Sequence, residues 1–309
     1  MEHFPVNLER YEGAYALIAK QAPTTAVIFV HGFDGNPRTT WVDFEGMIEK
    51  VGSQRTQWSE TDLFFYSYNS LDQIPVLAET FLEFLTSVAT LGASIFTPSD
   101  SSVRSLGGGF SLGAPIDFSR YRGRNPYKNL ILVGHSTGAV IIRDALRMRV
   151  ASIVQKNENL ESWIKNRDEE DNHNRLIVRS SLRFFAPAHL GVLAAGKLGV
   201  ALHLPVVDRV FGCYLGSNPL YQNLRHDSPT IRDLRKATEQ LYDQHKLEAL
   251  KASSLFGQHE EIVFLGGYTH DYPTQTEPGH YHQSICKPGV TFPQPLNFVM
   301  HVSSVSMNA

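Results

Sequence analysis

Apolar residues are distributed along this chain in two rhythms. The first is a series of short apolar runs bounded by polar or turn-forming residues: "TAVIFVHGF" (Thr25–Phe33), "DLFFYSYN" (Asp62–Asn69), "NLILV" (Asn129–Val133), "SSLRFFAPAHLG" (Ser180–Gly191) and "EEIVFLGGYTHD" (Glu260–Asp271). Runs of this kind predict buried strands. The second rhythm has helical spacing. Trp41, Phe44, Ile48 and Val51 form one face that closes at Gly52, and Leu77, Phe81, Phe84, Leu85 and Val88 form another after Pro75. A third helix follows Val133 and its turn and runs to about Val150, and Ser228-Pro229 opens a fourth with Ile231, Leu234 and Leu241 facing inward. Strands alternating with amphipathic helices imply a parallel sheet with right-handed crossovers.

Three segments depart from that alternation. Residues 93–127 are rich in Gly and Ser, 155–175 are polar and charged ("NRDEEDNHNR"), and 190–251 hold helices between two strands. The expected organisation is one domain over residues 1–309, with a Gly/Ser-rich insertion at 93–127 and a helical cap at 190–251. Within the cap, Gly191–Val207 reads either as a core helix over the sheet or as a lid that walls an acyl site. The "GGG" at Gly107–Gly109 lacks the Lys-Ser/Thr of a phosphate loop, so it reads as flexible chain.

Bulk composition narrows the partners. The chain has 309 residues, 42% hydrophobic, with Lys+Arg 28 against Asp+Glu 31 and a net charge of −3. Without a basic field, nucleic acid is not an expected partner. Two cysteines, Cys213 and Cys286, exclude a disulfide framework. The N-terminus carries charges and Pro5 where a signal peptide needs an apolar core, and the apolar window 184–207 is broken by Pro187, His189, Lys197, His203 and Pro205. A soluble cytoplasmic protein is expected.

The strand at Asn129 breaks at Gly-His-Ser-Thr-Gly and resumes as a helix. A Ser at such a sharp strand-to-helix turn projects its hydroxyl out of the sheet, and flanking glycines remove Cβ atoms that would collide in the bend. Ser136 also lies at a helix N-terminus, where free N–H groups and the dipole favour negative charge. Ser136 is therefore the expected nucleophile. An acyl-transfer Ser needs an oxyanion hole, and the N–H groups of Thr137 and of Phe33, in "VHGFDGNP", are the expected donors.

The motifs "VIFVHGFDGNPRTTW", "ILVGHSTGAVI", "FFAPAHLG" and "HQSICKP" together resemble an esterase/lipase family of α/β-hydrolases that includes relatives of GPI inositol-deacylases and of the serine-active-site proteins. The resemblance spans roughly Ala26 to Pro288. It implies an α/β-hydrolase fold, a mostly parallel sheet flanked by helices, and hydrolysis of carboxylic esters, with lipid esters leading. In that family a His just before "SICKP" is the catalytic base, which corresponds to His282. The family often carries Asp before that His; here the residue is Tyr281. No cofactor is implied, and a lipid ester substrate allows transient contact with a membrane surface.

Chain order in such enzymes runs Ser, acid, His. Of the thirteen histidines, His270, His280, His282 and His301 come late enough; His280 is the near rival to His282. For the acid, Asp271 is favoured because it follows the "IVFLGGYTH" run, with Glu277 as the alternative. His270, Asp271, His280 and His282 also suggest a metal site, but nothing else completes a metal motif and none is expected. The reading is thus a Ser-His-Asp esterase, with amide or peptide hydrolysis and a catalytically silent interaction module as rivals. Oligomeric state stays open.

Overall fold

The computed structural model describes residues 3–8, 10–19, 22–51, 56–90, 127–156, 163, 172–193, 216–226 and 228–300. In chain order the elements are β1 (His3–Asn7), β2 (Tyr15–Ala19), β3 (Thr25–Val30), α1 (Pro37–Thr40), α2 (Val42–Val51), α3 (Thr56–Ser59), β4 (Thr61–Tyr66), α4 (Ile74–Thr90), β5 (Asn129–His135) and α5 (Thr137–Lys156). Then come α6 (Asn172–Val178), β6 (Ser181–Phe185), α7 (Pro219–Leu224), α8 (Pro229–His245), a 3₁₀ turn (Glu248–Leu250), β7 (Ala252–Gly257), β8 (Gln275–Glu277) and α9 (Gln294–Met300).

The strands form one sheet in the order β1-β2-β4-β3-β5-β6-β7-β8. β2 runs antiparallel to both β1 and β4, and every other neighbouring pair from β4 to β8 is parallel. Crossed helices, this strand order and a single reversed strand make an α/β-hydrolase fold. Pro5 sits in β1, the strand at the sheet edge, where a proline is tolerated.

Strand alternation divides the core between the two faces. Phe64 and Tyr66 of β4 pack on Phe84 of α4 at 6.5 and 4.9 Å between ring centroids, and Phe184 of β6 lies 5.5 Å from the Arg143 guanidinium of α5. Their neighbours face the other way. Phe29 of β3 packs on Phe44 of α2 at 5.2 Å and on Trp41 at 5.0 Å, while Phe185 meets Phe298 of α9 at 5.2 Å. The fully buried strand cores explain why β3 and β5 read as unbroken apolar runs.

Most elements match the pattern of the chain, and Ser228 caps α8 by accepting from the Ile231 N–H at 3.2 Å. One strand does not. The run Glu260–Asp271 is not a strand: the N–H groups of Ile262 and Val263 donate to the Glu260 carboxylate, and Gly266 turns the chain at φ 130°. The sheet instead takes Ala252–Gly257, whose Ser253 and Ser254 are buried in the interior. β1 and β2 were also unforeseen. Residues 93–126 and 194–215 of the two expected insertions lie outside the described residues, as does Cys213. The described remainder of the second insertion holds α7, α8 and the 3₁₀ turn.

Candidate active site

The turn at Ser136 is built by sterics that only glycine satisfies. Between β5 and α5, Ser136 adopts the left-handed region at φ 52°. Its N–H donates to the Phe185 carbonyl at 3.0 Å, and its carbonyl accepts from the Ala139 and Ala188 N–H groups at 3.2 Å each. A Cβ on Gly138 would lie 2.3 Å from the Val30 carbonyl oxygen, and one on Gly134 would lie 2.6 Å from Ala139 Cα. The two glycines therefore let the first turn of α5 rest directly on β3 and on the end of β5.

The loop after β3 closes on this turn. A Cβ on Gly32 would sit 3.1 Å from Ser136 Cβ and 3.0 Å from His135 Nδ1, so the loop backbone lies against the serine. Gly35 N–H donates to the Gly32 carbonyl at 3.1 Å, and Asp34, at φ 53°, donates its N–H to Ser70 Oγ at 3.0 Å. Phe33 lies between these two bonds, and its N–H takes part in neither. Thr137 supplies a second N–H, as the first residue of the 20-residue helix α5. His31 braces the loop: its Nδ1–H donates to the Gly32 carbonyl at 2.9 Å, and its ring stacks on Tyr68 at 4.2 Å. Burial pushes the His31 imidazole down to about 4, so it is neutral near pH 7.

His282 reaches the same place from the far end of the chain. It is buried, its carbonyl accepts from His135 Nε2–H at 2.9 Å, and the two rings are 4.8 Å apart. Its Nδ1–H donates to the carboxylate of Glu260, with both oxygens at 3.0 Å. Glu260 Oε1 also accepts from the N–H groups of Ile262 at 2.8 Å and Val263 at 3.1 Å. A carboxylate so held fixes the imidazole tautomer and leaves Nε2 for proton transfer. The register is tight: a Cβ on Gly257 would fall 2.3 Å from the His280 carbonyl oxygen, and His259 N–H donates to that oxygen at 3.0 Å.

Asp271, expected beside His282, is elsewhere. Arg143 Nη2 donates to its two oxygens at 2.9 and 2.8 Å, and they also accept from the N–H groups of Ala252 at 2.9 Å and Tyr268 at 2.8 Å. This places Asp271 at the start of β7, whereas the imidazole lies past its end. Arg143 is fully buried, donates from Nε to His189 Nε2 at 3.2 Å and from Nη1 to the Leu250 carbonyl at 2.8 Å, and stacks 4.3 Å from Tyr268. Burial and the adjacent guanidinium hold His189 neutral.

The alternative acid Glu277 ends β8, its carbonyl accepting the Gln258 N–H at 2.9 Å, and the carboxylate that meets His282 is that of Glu260. The rival base His280 stacks on Phe292 at 3.6 Å. His270 donates to the Leu250 carbonyl at 2.9 Å and stacks on Tyr242. Among the described residues, no group of three or more His, Cys, Asp or Glu side chains is arranged to hold a metal. Glu260 was missed because the strand before it was misplaced. With β7 read at Ala252–Gly257, Glu260 is the first carboxylate past a strand end.

No protein-family model matches the chain, and no curated protein matches it significantly. Among solved structures it is similar to phospholipase PlaB from Legionella pneumophila, in complex with thio-NAD, at 18% identity and TM-score 0.43 over 76% of this chain. The chain spans 38% of the length of that protein. It is also similar to the mature Bacillus licheniformis lipase BlEst2, at 13% identity and TM-score 0.48, covering 96% of this chain and 97% of that one. A phosphonate-inhibited esterase B from Lactobacillus rhamnosis aligns at 11% identity and TM-score 0.46, over 96% of this chain and 82% of that one.

Proposed function

We propose that this chain is a serine hydrolase that cleaves carboxylic esters, with lipid esters as the leading class, through an acyl-enzyme on Ser136. The observation that carries the reading is a serine in a left-handed strand-to-helix turn whose preceding residue, His135, hydrogen-bonds the carbonyl of the buried His282, with His282 Nδ1–H held by Glu260. His282 takes the Ser136 hydroxyl proton as Oγ attacks the ester carbonyl. The N–H groups of Phe33 and Thr137 stabilise the oxyanion of the tetrahedral intermediate. Protonated His282 then delivers that proton to the departing alkoxide. Water, deprotonated by the same imidazole, attacks the acyl carbonyl, and the imidazolium returns the proton to Ser136 Oγ as the acyl–Oγ bond breaks and the acid leaves. Glu260 stabilises the imidazolium throughout. No step calls for a cofactor.

The test is labelling and turnover on one preparation. A fluorophosphonate is expected to attach to Ser136 alone, and Ser136→Ala is expected to lose hydrolysis of p-nitrophenyl esters of graded chain length by several orders of magnitude. Wild-type turnover by Ser136→Ala would overturn the mechanism. Faster cleavage of matched anilides than of esters would move the substrate to amides.

A further inference from the structure

The residue before the proposed nucleophile touches three segments of the proposed site. His135 is the last residue of β5, is 7% exposed, and is bonded to Ser136 by the chain itself. Its Nδ1 faces the Gly32 backbone so closely that a Cβ there would come within 3.0 Å. From its other nitrogen it donates to the His282 carbonyl at 2.9 Å, across 147 residues of sequence. Trp41 closes the ring edge-on at 6.5 Å. One imidazole thus spans the turn, the oxyanion loop and the segment that carries the base.

The backbone beside His282 is tied within its own turn, the Tyr281 N–H donating to Ser284 Oγ at 2.9 Å and the Tyr281 carbonyl accepting from the Ser284 and Ile285 N–H groups at 3.1 Å each. The His282 carbonyl, in contrast, is held from outside that turn, by His135. His282 stands in a run of turns rather than in a strand or helix. Its side chain is held from one side by Glu260, which fixes the direction of Nδ1. The His135 bond supplies the second anchor. A buried carbonyl that loses its donor is costly and drives the local chain to rearrange. His135 is itself no rival base. Its Nε2 proton is committed to the carbonyl, its Nδ1 is covered by Gly32, and burial with nearby His282, His31 and Lys287 holds the ring down to about 3.

Resting on the ester-hydrolase reading above, we infer that His135 is a positioning residue: its Nε2–H holds the His282 carbonyl and so sets the imidazole against Ser136 and the oxyanion loop. What matters is a neutral donor at that reach, not an ionisable group.

The test uses a pair of side chains of similar length that differ in the donor. His135→Gln offers an N–H near the position of Nε2, and His135→Met offers none. On a p-nitrophenyl ester, His135→Gln is expected to keep kcat within about threefold of wild type, since its amide restores the hydrogen bond. His135→Met is expected to lose kcat by about ten- to a hundredfold, with KM within about twofold, the cost of misplacing a catalytic group by about an ångström. The pH profile of kcat/KM should keep its wild-type shape in His135→Gln, because Gln supplies the donor without an ionisable group. Thermal melts show which variants are folded at assay temperature, and His135→Leu serves as the donor-free variant if His135→Met is not. Wild-type kcat in a folded donor-free variant overturns the inference, as does His135→Gln falling as far as His135→Met. Ser136→Ala, run alongside, separates the two levels: its retaining activity would sink the ester-hydrolase reading itself, whereas its inactivity together with an unaffected donor-free variant would sink only the role of His135.

Discussion

Glu260 and His282 meet across the end of β7, both carboxylate oxygens 3.0 Å from Nδ1, with no side-chain surface of Glu260 exposed to solvent. A fully buried carboxylate needs partners, and this one takes two backbone N–H groups besides the imidazole. The imidazole of His282 is therefore held in one orientation by its buried partner. Orientation of this kind contributes to catalysis only if it is used in the transition state.

Glu260→Gln is accordingly expected to lower kcat by about 10²- to 10⁴-fold with little change in KM, because the amide neither stabilises the imidazolium nor selects its tautomer. Glu277→Gln should stay within about threefold of wild type, as surface changes away from special features do. Steady-state kinetics of both variants on one chromogenic ester decide it. A crippled Glu277→Gln beside an active Glu260→Gln would reassign the acid.

Asp271 should behave as a structural residue. Its removal leaves Arg143 buried without a counter-ion and strands the Ala252 and Tyr268 N–H groups. Asp271→Ala is expected to cost about 3–5 kcal/mol in urea unfolding, while the folded fraction keeps its kcat. Replacing Arg143 as well, in Asp271→Ala/Arg143→Met, should recover part of that loss by removing the orphaned charge. A kcat loss in Asp271→Ala larger than that of Glu260→Gln would contradict the assignment.

Gly138→Ala tests the turn itself. The added methyl would come 2.3 Å from the Val30 carbonyl oxygen and 2.4 Å from that of His31, backbone atoms that cannot swing aside. A destabilisation of at least about 1–3 kcal/mol is expected from this overpacking, together with loss of activity as β3 and α5 are forced apart. An active variant that melts at the wild-type temperature would show that the contact relaxes freely.

Acid stability follows from the buried histidines. His31 is held down to about 4 and His135 to about 3 by burial, so the native state resists protons that an unfolded chain, near 6.5, accepts. Stability from this source is complete above about 6.5 and falls as pH drops towards 4, because the unfolded state then binds more protons. The urea midpoint of inactive Ser136→Ala should therefore fall between pH 7 and pH 4.5, and less steeply when His31→Gln is added. An unchanged slope in the double variant would remove His31 from the account.

Local sequence determined the parts of this protein whose structure depends on near neighbours. The β3, β4 and β5 runs are apolar because both faces of those strands are covered, and Ser228-Pro229 opens α8 because a cap and a preset φ act within one turn. The GHSTG pentapeptide was legible for the same reason: its two glycines answer collisions at the turn, with Ala139 inside it and with the β3 end packed on it. Tertiary structure decided which carboxylate meets His282. Asp271 and Glu260 both border the apolar run 260–271, and nothing within that run says which one meets an imidazole. The choice depended on β7 being Ala252–Gly257, a strand whose buried serines hide it from any apolar pattern, and on Arg143, far back on α5, claiming Asp271 through a buried charge pair. An ion pair between residues 128 apart is a property of packing, and no periodicity in the chain encodes it.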